Sequence, residues 1–172
     1  MSKEIISSTF PSPQHNHSEC VDAALGEAER LCRIRDLRLT PLRKRVFELI
    51  WQSHRPVTAY ELLDRLVQDG RRAQAPTVYR SLEFLTECGL VHRVESMNAY
   101  VGCNQPSRGH EVGFFICEAC GDVAELADPA LSSSVTKGAK QLGFTVHSRL
   151  IEVRGTCRAC TAIKTDDPKR ML

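Results

Sequence analysis

Cys117-Glu118-Ala119-Cys120 and Cys157-Arg158-Ala159-Cys160 form two C-x2-C pairs separated by 36 residues. Each pair can set two thiolates on one ion through a tight turn. Four thiolates then close a tetrahedral zinc shell with no position open to water or substrate. Gly121 and Gly155 beside the pairs suit the sharp turns such a knuckle needs. The competing chemistry is dithiol redox, but a thioredoxin-like unit carries one such pair rather than two. The spacing therefore points to a structural zinc on Cys117, Cys120, Cys157 and Cys160. The other metal-type residues are less regular. His92, Cys103, His110 and Glu125 taken singly read as a strand histidine, a buried thiol, a loop histidine and a strand carboxylate.

The chain around these residues has 172 amino acids, 42% hydrophobic and 26% charged, with a net charge of +2. That composition fits a folded chain and excludes a long disordered polyelectrolyte. No apolar run approaches the roughly 18 residues a membrane-spanning helix needs. The stretch Met1 to Cys20 has no apolar core of a secretory leader, so a cytoplasmic location is expected. Eight cysteines in such a compartment are reduced thiols, which again favours metal over disulfides. The near-neutral total hides a basic block. Between Arg30 and Arg80 twelve Lys/Arg face five Asp/Glu, compatible with a phosphate-facing surface and equally with a solvated helical face.

Apolar spacing places a helix from Glu19 to about Arg38, preceded by a flexible tail over 1–18. Thr40-Pro41 opens a second helix with an N-cap and a first-turn proline. Thr58-Ala59-Tyr60-Glu61 is a capping box that starts a third. A fourth runs from Pro76 to Gly89 with Val78, Leu82 and Leu85 inward, leaving Thr77 and Arg80 facing away. Two alternating runs, Leu90–Glu95 and Asn98–Cys103, follow as a hairpin. Helices then a hairpin is the order of a winged helix-turn-helix domain, whose last helix before the hairpin enters the major groove. Beyond residue 103 come strands over 112–117 and 122–126, a helix from Asp128-Pro129 to about Leu142, and a strand over 144–153. The expected fold class is α+β: a winged-helix DNA-binding domain (19–97), a hinge (98–110), a small α+β dimerisation domain with structural zinc (111–163), and a flexible tail (164–172).

Leu39-Thr40-Pro41-Leu42-Arg43, Pro76-Thr77-Val78-Tyr79-Arg80-Ser81-Leu82, Gly89-Leu90-Val91 and the two Cys pairs resemble the Fur family of metal-sensing repressors. The resemblance spans roughly residues 20–162. The stretch Val91 to Cys103 looks most like the family's zinc uptake regulator (Zur) branch. That likeness implies a second, regulatory zinc held by His92, Cys103, His110 and Glu125, hence two zinc ions per chain. Iron- and peroxide-sensing relatives carry a His-rich cluster before the first Cys pair; here Ser107-Arg108-Gly109-His110-Glu111 has one histidine. One thiolate, two imidazoles and one carboxylate also suit zinc better than ferrous iron.

The resemblance further implies a homodimer that binds double-stranded operator DNA of zinc-homeostasis genes when zinc-loaded and mainly represses them. Arg80 is the leading base reader, since a guanidinium can bond guanine O6 and N7 together. Tyr79 and Tyr60 match the family's DNA-facing tyrosines, Thr77 suits a phosphate contact, and Arg43, Lys44 and Arg72 are weaker phosphate candidates. Neither a membrane partner nor a small-molecule substrate is expected. Catalysis finds no footing, because no deaminase pairing, G-x-S-x-G, H-E-x-x-H or phosphate loop occurs. Two alternatives remain beside the zinc sensor: a relative sensing iron or peroxide, and a DNA-binding module whose zinc is structural only.

Overall fold

The computed structural model describes residues 10, 17–52, 55–106, 113–126 and 128–165. The chain divides into two compact units, Ser12–Gly109 and His110–Leu172 with Met1–Pro11. Among the described residues no helix is long and apolar enough to cross a membrane.

The first unit strings together α1 (His17–Ile34), α2 (Pro41–Trp51), β1 (Val57–Thr58), α3 (Ala59–Gln68), α4 (Ala75–Glu87), β2 (Val91–Val94) and β3 (Ala99–Gly102). Sequence spacing carries the first helix to about Arg38, but it stops at Ile34. Asp36 adopts a left-handed conformation (φ 52°), and Leu37 N–H returns to the Cys32 carbonyl while Asp36 N–H bonds Arg33. This two-bond closure satisfies the last carbonyls and turns the chain away from the helix axis. Thr40 caps α2 with Pro41 at its first position, and Thr58 with Glu61 forms the anticipated capping box on α3. Gly89, at φ 71°, ends α4 by the same closure and delivers the chain into β2. The core gathers Phe47 and Ile50 of α2, Leu62 and Leu66 of α3, and Val78, Leu82 and Leu85 of α4, all at most 2% exposed. A three-stranded antiparallel sheet in the order β1-β3-β2 completes this winged-helix unit. Because β3 is its central strand, residues 99–102 pair inside the first unit, although sequence assigns them to a hinge.

The second unit contains β4 (Gly113–Cys117), β5 (Val123–Leu126), α5 (Pro129–Gln141), β6 (Ile151–Gly155) and α6 (Arg158–Thr165), with sheet order β5-β4-β6. Asp128 caps α5 by accepting from Ala130 N–H, and Gly143 (φ 64°) ends it. β4 and β5 are an antiparallel pair joined by the first Cys pair, whereas β4 and β6 run parallel through the α5 crossover. The sequence-derived strand over 144–153 is displaced to 151–155. Register explains it: among the described residues β4 offers partners from Gly113, opposite Ile151, to Cys117, opposite Gly155. The expected tails at 1–18 and 164–172 fall largely outside the described residues, as does the loop 107–112; where the tails are described, 17–18 open α1 and 164–165 end α6 rather than being tail.

Candidate metal centres and nucleic-acid face

The parallel register brings Cys117 at the end of β4 beside Gly155 at the end of β6, so both Cys pairs emerge from the same end of one sheet. Cys117, Cys120, Cys157 and Cys160 there place their Sγ atoms within 4.8 Å of one another. The turn after β4 is locked by Gly121 N–H on the Cys117 carbonyl and Glu118 N–H on the Gly155 carbonyl. Cys157 N–H donates to Cys117 Sγ at 3.3 Å, and Cys120 Sγ lies 3.9 Å from Cys157 Sγ. Burial works against a charged Cys117, but backbone N–H donors from Cys157, Cys120 and Ala119 outweigh it and bring the thiol down to about 6. Burial pushes Cys120 up, and the neighbouring Cys157 thiol does the same for Cys160. Four sulfurs so close repel as anions, and a dication among them removes that conflict. The four-sulfur donor set fits zinc.

In the first unit, His92 on β2 stands opposite Val101, and Cys103 continues β3 with its N–H on the Leu90 carbonyl. A ligand nitrogen of His92 and Cys103 Sγ fall within 4.8 Å. Gly102 positions the thiol. A Cβ there would lie inside the Trp51 indole, so the ring packs directly on the backbone preceding Cys103. Sequence reasoning passed over this pair; its one trace is a strand glycine, which marks close approach. Glu125 belongs to the second unit, on β5 opposite Phe114, and is 3% exposed. A buried carboxylate next to an aromatic is costly unless it meets a donor or a cation. His110 lies outside the described residues.

Thr77, Tyr79 and Arg80 are exposed along α4 while Val78 is wholly buried, and Tyr60 on α3 is 69% exposed. Arg72 is exposed in the loop before α4. Two basic candidates are engaged within the fold. Arg43 stacks over Phe84 at 3.5 Å and donates to the Arg38 carbonyl, and Lys44 bonds Glu29 at 2.8 Å.

The model of the ferric uptake regulator family matches residues 35–154. The chain belongs to that family. The matched span runs from the end of α1 into β6 and stops before Cys157 and Cys160, so the second half of the four-sulfur cluster rests on the geometry itself. Over 143 residues the chain is 40% identical to the zinc uptake regulation protein of Escherichia coli K12, covering 81% of this chain and 82% of that one. A structure of a zinc uptake regulator complexed with zinc and DNA superposes with a TM-score of 0.80 at 38% identity, covering 84% of this chain and 97% of the other. The holo form of XcZur superposes at 0.75 with 43% identity, covering 82% and 99%. The α+β architecture, with a winged-helix unit followed by a small mixed unit, is shared with these family members.

Proposed function

We propose that the chain is a zinc-responsive transcription regulator: a dimer that binds operators of zinc-homeostasis genes when zinc-loaded and mainly represses them. The observation that carries this is the 40% identity to a zinc uptake regulation protein over most of both chains, joined to a zinc-type donor set. Cys117, Cys120, Cys157 and Cys160 hold a structural zinc, and His92, Cys103, His110 and Glu125 hold a regulatory one, two ions per chain. When bound, the regulatory ion would tie zinc occupancy to the DNA-competent conformer. Cys103 separates this reading from iron or peroxide sensing, because a thiolate in the sensing set favours zinc.

The first unit meets DNA through α4. Arg80 reads a guanine edge, Tyr79 and Tyr60 make apolar contacts to the groove, Thr77 takes a phosphate, and Arg72, Arg43 and Lys44 add weaker phosphate contacts. The second unit pairs with a second copy. β6 is an edge strand of a small sheet, and Leu142, Phe144, Leu150 and Val153 are exposed apolar groups that a partner would cover. The protein works in the cytoplasm, where thiols stay reduced. It takes no small-molecule substrate and no membrane partner.

Operator binding titrated against buffered free zinc tests the reading. Moving the population from 1:99 to 99:1 requires about 5.5 kcal/mol of preference for the competent state, so affinity should climb steeply across the regulatory range. Binding that is flat across free zinc, with one zinc per chain, would favour the purely structural module instead.

A further inference from the structure

The open face of α4 carries more than the arginine and tyrosine already assigned. Arg80 and Glu83 are both exposed and three residues apart, so they lie on one helical face about 4.5 Å apart along the axis. Together with Tyr79 and Glu87 they line a cleft of about 480 Å³ between α4 and the β2–β3 hairpin. Several charged side chains of this unit are spent on internal partners. Arg30 holds Glu27, Lys44 holds Glu29, Arg45 holds Glu48 and Asp69, and Arg93 holds Glu95 and Asn98. Neither Arg80 nor Glu83 has an ion pair or hydrogen bond among the described residues. Two opposite charges within reach of each other, both left to solvent on one face, suit contacts made outside the chain.

A carboxylate on a DNA-facing helix is unfavourable against phosphates and against the acceptor-only edges of guanine O6/N7 and thymine O4. The groove offers it two amino donors, cytosine N4 and adenine N6; the N7 acceptor beside N6 repels a carboxylate, so cytosine is the better partner. Glu83 is the ninth of the thirteen residues of α4 and lies just under one turn beyond Arg80, on the face the two share. We propose that Glu83 is a direct specificity residue, accepting from a cytosine N4 amino group one or two base steps from the guanine read by Arg80, and penalising other bases there by charge repulsion. This rests on the DNA-binding reading above.

The test is the base-preference profile of the zinc-loaded protein, obtained by selection from randomised duplexes, for wild type, Glu83→Gln and Glu83→Ala. Glu83→Gln keeps the shape but gains an amide that pairs with adenine N6 and N7. It should move one position from cytosine to adenine and leave the Arg80-dependent guanine in place. Glu83→Ala should flatten that position, lowering discrimination there on the order of tenfold, and raise affinity for random DNA. The Glu83 side chain is exposed, so folding and zinc content of both variants should match wild type. A change confined to the guanine position would mean that Glu83 acts by orienting Arg80, and the proposal fails. Profiles identical to wild type overturn it as well. A wild type with no sequence preference at all overturns the DNA-binding reading and this inference together.

Discussion

Thr58 and Glu61 fix the start of the helix that carries Tyr60. Glu61 accepts from Thr58 N–H and from the Thr58 hydroxyl, both at 2.7 Å, while Thr58 Oγ1 accepts from Glu61 N–H at 3.2 Å. The backbone bond from Thr58 holds the Glu61 carboxyl below its ordinary value of 4.5, helped by the hydroxyl. Thr58→Ala should cost about 1 kcal/mol in urea unfolding of the zinc-loaded protein. Because the folded-state value is depressed, the carboxylate's contribution is complete above 4.5 and is lost as pH falls toward the lowered value. The stability gap between wild type and Glu61→Gln should therefore narrow on acidification; a constant gap would assign Glu61 a packing role instead. This box was legible because both partners sit three positions apart. The Gly102–Trp51 contact beside Cys103 was not, since it joins a helix end to a strand 51 residues later.

The helices were legible for the same local reason, with caps and apolar stripes written into adjacent turns. Strands were less so, because a strand is defined by its partner. Phe144 to Leu150 has strand-like letters but pairs with no strand among the described residues, and the two-residue β1 exists only because β3 runs beside it. The short α6 was missed: eight residues carry little periodicity, and it begins one residue beyond Cys157. The difference between α2 and α4 yields a test. Lys44 on α2 already has Glu29, and such exposed pairs are worth little, so the ammonium remains usable by a phosphate. Lys44→Ala should weaken all sequences alike and flatten the salt dependence by about one charge. Arg80→Ala should cost about 1–3 kcal/mol and relax preference at one base position. If Arg80→Ala leaves the sequence preference intact, α4 is not the reading helix.

At the scale of the whole molecule, the two proposed zinc ions differ in what holds their ligands. The four-sulfur set is closed and clamps the ends of β4 and β6 to the start of α6, in a unit whose sheet has three strands among the described residues. So small a unit draws much of its folding free energy from such a staple. Cys157→Ser should therefore give an unfolded or aggregated chain with dimerisation lost, seen by circular dichroism and sedimentation. His92 and Cys103, by contrast, belong to a unit with its own core of buried leucines, valines and Phe47, which does not depend on an ion. Removing one ligand there exposes no apolar surface. Cys103→Ser should stay folded and dimeric, bind one fewer zinc per chain, and lose zinc-dependent operator binding. A mild chelator should bring the wild type to the same state, because a sensing site has to exchange its ion at the concentration it reports, whereas the closed sulfur shell does not. If Cys103→Ser keeps the full zinc response, sensing resides elsewhere and the roles given to His92, His110 and Glu125 fall with it.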